Sequence, residues 1–395
     1  GEIQATTVVV NDGVTVDASD LPNGSTITGP GTSRIFRVTA TGKLTLKGIT
    51  LTGGAVAGNG GGAIINDGTV SLVDCTLTGN TTQTTGGAVS NGGSFTATGC
   101  AFLNNTALNV GGAFTNNNSG TATFTNCTFF GNSTTTTVPQ GGGAINHSSS
   151  AASMKLIHCT IAGNTTTGTE GGGGIRNRGP QMELYNCILS GNTATNGPGP
   201  DLTASTSLSF VGINFCTTAV HLISPAQVMS LPPRIQAPQL APLGNYGGPT
   251  QTMPPLPGSP VIDVAFPLPN TPSTDQRGLS RTIDGDGDGI GVADVGAAEY
   301  HLILVGTRAD ENDATATLGS GISLREAVRD ITPGGTVGFD PALFDGSTAT
   351  ANLLILTLGP LNPQVNFALN AQTIRGGINV LHQPTIYQQP QSLSL

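Results

Sequence analysis

The sequence contains few of the residues that build helices, bind nucleic acids or cross membranes. Only 9% of its 395 residues are charged, 4% are aromatic and none is tryptophan. Because charged helix formers are so scarce, a helical protein or an ordinary α/β enzyme is disfavoured. The 14 basic residues and the net charge of −9 argue against nucleic-acid binding, which needs Lys and Arg to neutralise phosphates. No apolar run reaches about 18 residues, so no transmembrane helix is predicted.

What the chain has instead is glycine and a repeat. Glycine occurs 58 times, and apolar residues make up 36%, which is too much for a disordered chain. A Gly-Gly-Ala-apolar step, or a degenerate copy of it, precedes a cysteine, and an asparagine follows five residues after that cysteine. The steps begin at Gly61, Gly86, Gly111, Gly142 and Gly172. The cysteines are Cys75, Cys100, Cys127, Cys159 and Cys187, and the asparagines are Asn80, Asn105, Asn132, Asn164 and Asn192.

The spacing of this repeat predicts the fold. Successive cysteines are 25 to 32 residues apart, and apolar residues alternate with Thr, Ser or Asn between them. Alternation with a period of two indicates strands with one buried face. A change of phase at Val73-Asp74 predicts a tight turn there. Short strands that return at this period form the coils of a right-handed parallel β-helix, an all-β solenoid.

Stacked coils place equivalent residues in columns about 4.8 Å apart. The cysteines are expected to form one inner column, and the asparagines a ladder of amides at a turn. The column beside the cysteines would contain Leu77, Phe102, Phe129, Ile161 and either Ile188 or Leu189. A second turn column would contain Asn66, Asn91, Asn116, His147 and Asn177. We expect buried free thiols rather than disulfides or zinc ligands, because stacked strands point their Cβ atoms the same way and no Cys-x-x-Cys pair occurs.

These motifs resemble a known family of repeats. The Gly-Gly-Ala-Ile steps, with Phe102-Leu103-Asn104-Asn105 and Phe129-Phe130-Gly131-Asn132, resemble the repeats of chlamydial polymorphic outer-membrane proteins and of other large bacterial surface proteins. The resemblance covers roughly residues 53–200, which we assign as five coils, and residues 1–52 are assigned as N-terminal coils. It implies a right-handed parallel β-helix, an extracellular or cell-surface location and no enzyme activity.

Residues 201–300 differ in composition, because proline is dense between Pro198 and Pro272. A proline-rich segment cannot continue regular coils, so it should pack along the solenoid or close its end. Four blocks resemble the choice-of-anchor Q domain that follows β-helices in exported bacterial proteins. They are residues 238–250, residues 256–263, Asp275-Gln276-Arg277-Gly278 and Asp294-Val295-Gly296-Ala297-Ala298-Glu299-Tyr300.

An acidic loop lies inside this segment. Carboxylates alternate with glycine from Asp284 to Gly289, a pattern that can surround one hard cation. A structural Ca²⁺ ion is one interpretation and a solvated acidic turn is the other. The predicted ligands are Asp284, Asp286, Asp288, the Ile290 carbonyl and Asp294, although Asp294 falls one place short of the usual twelfth position.

Residues 301–395 contain the one clear helix signal, a Ser-x-x-Glu capping box at Ser323 and Glu326. Leu324, Ala327 and Val328 fall on one face of that helix. Residues 322–328 resemble the motif that begins many bacterial β-helix domains, with Ile322 in place of a cysteine. A motif that normally begins a domain lies here at the C-terminal end of the chain. This order predicts that the chain is one unit of a tandem array whose ends are shifted relative to the domain boundaries. We therefore weigh two hypotheses: residues 302–380 cap a neighbouring subunit, or they cap their own chain.

Three classes of function remain. A head-to-tail filament or surface assembly fits the low charge and the stacking ends. A surface adhesin could bind glycans through the Thr-rich face formed by Thr50, Thr52, Thr76, Thr78, Thr81 and Thr82. A polysaccharide-degrading enzyme of pectate-lyase type would need clustered acids, and the acids of residues 53–200 lie in different coils. The densest charge group is expected to be a buried ion-pair network, and its members are Asp263, Asp275, Arg277, Arg281, Asp294 and Glu299.

Overall fold

The structure is a computed structural model. It describes residues 2–4, 7–21, 24–148, 150–206, 208–222, 232–269, 271–286, 288–312, 321–331, 336–339, 343, 353–356, 368–369 and 379–382. The chain forms two compact units. The first unit contains Gly1–Thr282 and Asp286–Glu299, and the second contains Ile283–Gly285 and Tyr300–Leu395.

The first unit is a right-handed parallel β-helix, which confirms the predicted fold class. Each full coil contributes one strand to each of four parallel sheets, which we number by their order within a coil that starts at Val8, Phe36, Ile64 and their equivalents. Helices have no place in these coils, because four short strands and the turns between them use up the whole period. Sheets 1 to 3 run nearly the length of the solenoid, and sheet 4 closes the coils between Ala55 and Ala194.

The strands follow in the order of stacking. Sheet 1 contains Val8–Val10, Phe36–Val38, Ile64–Asn66, Val89–Asn91, Phe114–Asn116, Ile145–His147, Ile175–Asn177, Leu202–Ala204 and His221–Leu222. Sheet 2 contains Gly13–Asp17, Lys43–Lys47, Thr69–Val73, Ser94–Thr98, Thr121–Thr125, Ser153–Ile157, Met182–Tyr185 and Leu208–Val211. Sheet 3 contains Glu2–Gln4, Ser25–Thr28, Ile49–Thr52, Thr76–Thr78, Ala101–Leu103, Thr128–Phe130, Thr160–Ala162, Ile188–Ser190, Phe215–Cys216 and Arg234–Ile235. Sheet 4 contains Ala55–Val56, Thr81–Thr82, Thr106–Ala107, Ser133–Thr134, Thr165–Thr166 and Thr193–Ala194.

The turn between sheets 2 and 3 has left-handed backbone in successive coils, as the change of phase predicts. The residues at this turn are Asp74, Gly99, Asn126, His158 and Asn186, with φ between 48° and 67°. We call them the turn column. Asn, Asp and Gly tolerate this conformation better than other residues, so the sequence at this corner follows the backbone geometry.

The Gly-Gly-Ala step has a packing cause. Its first glycine is also left-handed, with φ of 66° at Gly86 and 63° at Gly111. A Cβ atom at the second glycine, Gly87, would collide with the backbone carbonyl of Gly112 in the next coil. Only glycine therefore allows the coils to approach each other at this corner.

The core is a continuous stack of inward-facing side chains. Phe102 and Phe129 are stacked in adjacent coils, with ring centroids 4.6 Å apart and an interplanar angle of 6°. Phe102, Phe129 and Ile161 belong to the column predicted beside the cysteines. Ile161 pairs in register with Leu189, so Leu189 is the last member of that column and faces inward, whereas Ile188 faces outward. One assignment was wrong: Thr82 is 3% exposed and does not belong to a Thr-rich surface.

The described residues of 238–282 and 286–299 form an irregular segment along the outside of the solenoid, which we call the strap. Ile188 and Phe215 of sheet 3 pack with Val261, Ala265 and Val295 of the strap in a second, smaller core. From residue 238 onward the proline-rich segment therefore covers the side of the coils, one of the two arrangements that its composition allows. The predicted start at residue 201 was too early, because Leu202–Ala204, Leu208–Val211 and Phe215–Cys216 are still strands of the coils.

The second unit has its own parallel sheets. One contains Leu302–Val305, Thr336–Phe339 and Ala368–Leu369, and the other contains Leu353–Leu356 and Asn379–His382. The helix Leu324–Asp330 begins at the predicted capping box, with both reciprocal bonds present at Ser323. Leu324, Ala327 and Val328 pack against Val305 and Phe339, so the predicted apolar face covers these strands.

Candidate functional site

The first asparagine column is a hydrogen-bonded ladder inside the solenoid. Asn80 donates to Asn105 Oδ1 from its backbone N (3.0 Å) and from Nδ2 (3.1 Å). The same pair of bonds links Asn105 to Asn132 and Asn132 to Asn164. Each amide also donates to a carbonyl of the preceding coil, as Asn105 does to Leu77 at 2.8 Å. The ladder thus ties successive coils together at a corner where the backbone amides have no strand partner.

The ladder ends on a residue that the repeat did not reveal. Asn192 Nδ2 donates to Asp201 Oδ1 at 2.9 Å, and Asp201 is fully buried. The other oxygen, Oδ2, accepts from the hydroxyls of Thr217 and Thr218 at 2.8 and 3.0 Å. A buried carboxylate is tolerated here because several donors surround it.

The second ladder contains the predicted histidine. Asn66 donates to Asn91 Oδ1, and Asn91 donates to Asn116 Oδ1, both at 2.7 Å. His147 follows in register, with Nδ1 3.3 Å from Nδ2 of Asn116, and pairs on its other side with Asn177. Burial lowers the pKa of His147 to about 4, because the charged imidazolium is disfavoured away from water.

The cysteines lie in the core as free thiols, and no disulfide is present among the described residues. Cys75 Sγ donates to the carbonyl of Val73 at 3.2 Å, and Cys187 Sγ donates to that of Leu156 at 3.3 Å. Burial raises the pKa of the Cys127 and Cys187 thiols, which makes them poor nucleophiles. Asn214 takes the next place in the cysteine column, and its Oδ1 accepts a hydrogen bond from Cys187 N at 2.8 Å. The sixth cysteine, Cys216, lies in the neighbouring column, in register with Leu189.

The ion pairs of the strap form the buried network that the sequence predicts, although Asp263, one of the predicted members, is only half-buried. Arg277 pairs with Asp275 at 2.8 Å and Arg281 with Glu299 at 2.5 Å, and all four side chains are at most 1% exposed. Burial, followed by the nearby Asp294 charge, raises the pKa of Glu299. Backbone N of Asp294 donates to both Glu299 oxygens. A buried ion pair adds little net stability over an apolar replacement, but removal of one partner is costly because it leaves the other charge buried alone.

This network is attached to the turn column. Asn126 donates from Nδ2 to the Thr274 carbonyl at 2.7 Å, and His158 Nδ1 lies 3.1 Å from the Asp294 carbonyl oxygen. On sheet 3, Thr128 Oγ1 donates to Gln276 Oε1 at 2.7 Å, and Ala297 N donates to Thr160 Oγ1 at 3.0 Å. The turn residues therefore bind the strap as well as turning the chain.

The predicted calcium ligands do not all share one environment. Asp286, Asp288 and Ile290 are exposed, whereas Asp294 is 1% exposed and accepts a bond from Asp263 N through Oδ1 at 2.8 Å. Asp263, absent from the predicted ligands, accepts a bond from Asp286 N at 2.7 Å. Asp284 is half-buried and belongs to the second unit. The calcium site stays a prediction.

Other charged side chains form ion pairs within their own unit. Arg176 is buried and forms an ion pair with Glu170. Arg178 Nη1 lies 3.8 Å from the same Glu170 oxygen. In the second unit, Arg325 of the helix pairs with Asp310 at 2.8 Å. These contacts explain the charged side chains as parts of the fold.

Comparisons give no further assignment. No helix among the described residues is long and apolar enough to span a bilayer. No family model, no curated protein and no solved structure matches this chain. The resemblances to chlamydial outer-membrane repeats and to the choice-of-anchor Q domain therefore stay predictions, and what is established is a parallel β-solenoid of about eight turns.

Proposed function

We propose that this chain is a non-catalytic structural subunit of an extracellular, bacterial head-to-tail assembly. In this assembly the first coil of one solenoid stacks on the second unit of another copy. The observation that carries the proposal is the second unit, whose parallel strands recur at nearly the period of the solenoid. The surface location rests on the sequence resemblances alone.

Inward-facing residues of the first coil are exposed. Val8 pairs in register with the buried Phe36, and Val14 pairs with the buried Leu44. Val8 and Val14 are nevertheless 40% and 39% exposed. Among the described residues, Val8–Val10 and Gly13–Asp17 have a strand neighbour on one side only. Strand edges of this kind are templates for pairing with further parallel strands.

The second unit supplies strands of the matching kind. Its sheets are parallel, and their strands recur after about 26 to 34 residues, which is close to the period of the solenoid. Its helix packs on the first strands of that stack. A β-helix commonly begins with such a cap, so the unit has the features of the first coils of a further solenoid. A second copy can extend it with parallel strands of the same spacing.

The test is the assembly state of the full chain. We expect oligomers that grow with protein concentration in analytical ultracentrifugation, and linear particles in electron micrographs. Val14→Lys places a charge on the inward face of the first coil and should reduce the assembled fraction at least tenfold. The matched control is Val138→Lys, at a site 49% exposed away from the first coil. It should assemble like the unmodified chain. A single monomeric species at all concentrations would refute the proposal.

A further inference from the structure

Asparagine precedes glycine at three places among the described residues, and the surroundings of the three pairs differ. Asn59 and Asn196 lie on exposed loops at the corner between sheets 4 and 1, whereas Asn91 ends a strand of sheet 1. In such a pair the backbone N of glycine can attack Cγ of the asparagine, because glycine has no Cβ atom that obstructs the approach. Asparagine is accordingly among the thermolabile residues of proteins.

The buried pair, Asn91-Gly92, is restrained at both reacting groups. Asn91 Nδ2 donates to Asn116 Oδ1 at 2.7 Å and to the Thr121 carbonyl at 3.1 Å. Its Oδ1 accepts a bond from the side chain of Asn66, and the Asn66 carbonyl accepts one from Gly92 N at 2.7 Å. Buried groups that are bonded in this way react only after local unfolding. The second ladder therefore protects its own asparagine.

The pair Asn59-Gly60 is restrained at the attacking nitrogen alone. Gly60 N donates to Thr84 Oγ1 at 2.7 Å. The Asn59 side chain is exposed and has no hydrogen-bond partner in the part of the chain that the structure describes. One hydrogen bond changes a rate by about tenfold at most. Thr84 therefore slows attack at this site without preventing it.

The pair Asn196-Gly197 is restrained at the side chain alone. Asn196 Nδ2 donates to the Thr167 carbonyl at 2.8 Å, and this bond is exposed. Within the described ranges, backbone N of Gly197 has no hydrogen-bond partner. The attacking nitrogen is therefore free, and one exposed bond is a small barrier to movement of the side chain.

We propose that Asn59 and Asn196 are sites of spontaneous deamidation in the folded chain and that Asn91 is not. The N of the following glycine loses its proton and forms a bond to Cγ, the bond from Cγ to Nδ2 breaks, and Nδ2 leaves as ammonia with that proton. Water then opens the cyclic imide to aspartate or isoaspartate. The inference goes beyond the proposed function, because it concerns a covalent change on the side of the solenoid and not the stacking of its ends.

The reaction should loosen the corner between sheets 4 and 1. Each conversion adds one negative charge, and isoaspartate also adds one carbon to the main chain. The corner has little room for this carbon. Even a Cβ atom at Gly60 would lie 2.4 Å from the Thr85 carbonyl oxygen, and one at Gly197 would lie 2.4 Å from Gly171 N.

The experiment is incubation of the full chain at mildly alkaline pH, followed by digestion and mass spectrometry of the peptides. We expect Asn59 and Asn196 to deamidate at least tenfold faster than Asn91. In urea the three rates should become similar, because the fold no longer protects Asn91. The matched variant is Thr84→Val, which removes the acceptor of Gly60 N. It should speed the reaction at Asn59 by up to about tenfold and leave the rate at Asn196 unchanged.

Deamidation of Asn91 in the folded chain as fast as at the two exposed sites would overturn the proposal. Stable Asn59 and Asn196 in the folded chain, with all three sites reacting in urea, would overturn it as well. An unchanged rate at Asn59 in Thr84→Val would refute the restraint assigned to Thr84. Circular dichroism should verify that the variant is folded.

Discussion

Arg281 donates from Nη2 to Oδ1 of Asn126 at 2.8 Å, although 155 residues separate the two in sequence. Asn126 is a turn residue of the solenoid, with φ of 52°, and Arg281 is a fully buried arginine of the strap. The same guanidinium donates to Glu299 and to the Gly296 carbonyl. One side chain therefore joins the regular coils to the irregular segment that covers them.

Removing one member of this ion pair should free the strap. We expect Arg281→Leu to lower the free energy of unfolding by about 3 to 5 kcal/mol, because it leaves Glu299 buried without its partner. Urea unfolding and the rate of proteolysis within the strap measure the effect. Arg37→Leu changes an exposed arginine of sheet 1 and should stay within about 0.5 kcal/mol of the unmodified chain. An equally small effect of Arg281→Leu would contradict this role.

The asparagine ladder should contribute to stability at each rung. Asn105→Ala removes the acceptor of two bonds from Asn80 and the donor to Leu77. We expect a loss of about 2 to 4 kcal/mol, since buried backbone groups are left unsatisfied. Urea unfolding measures the loss, and Asn11→Ala, a change at an exposed asparagine, is the control. Equal stability of the two variants would argue against the ladder as a stabilising element.

His147 should make the solenoid sensitive to acid. Its folded-state pKa of about 4 lies below the ordinary 6.5, so below pH 6.5 the unfolded chain binds a proton that the folded chain excludes. The free energy of unfolding should therefore fall by up to about 3 kcal/mol as the pH drops from about 6.5 to about 4. His147→Asn should remove this part of the loss. If the difference in the free energy of unfolding between the variant and the unmodified chain stays constant over this pH range, the prediction is wrong.

Calcium should stabilise the first unit if the acidic loop holds it. We expect millimolar Ca²⁺ to raise the melting temperature through binding to the folded state. Asp288→Asn should abolish the rise, because it removes one of the alternating carboxylates. Asp12→Asn is the control for a general effect of charge. A melting temperature that is unchanged by Ca²⁺ and by a chelator would leave the loop as a solvated turn.

The period of the sequence was enough to predict the coils. The Gly-Gly-Ala steps and the turn at Asp74 recur once in each coil, and each of them stacks on its equivalent in the next coil. In a solenoid the long-range contacts repeat the local pattern, so a sequence period predicts register. The helix at Ser323 was also predictable, because a capping box lies within one turn.

The tertiary structure decided everything that breaks this period. Asp201 ends the asparagine ladder, Asn214 replaces a sixth cysteine in its column, and Arg281 meets Asn126. Asp201, Asn214 and Arg281 do not recur in the repeat, and the strap hydrogen bonds of Asn126 and His158 join residues 136 to 155 positions apart. Their partners depend on the path of an irregular chain across the coils, and no local pattern determines that path.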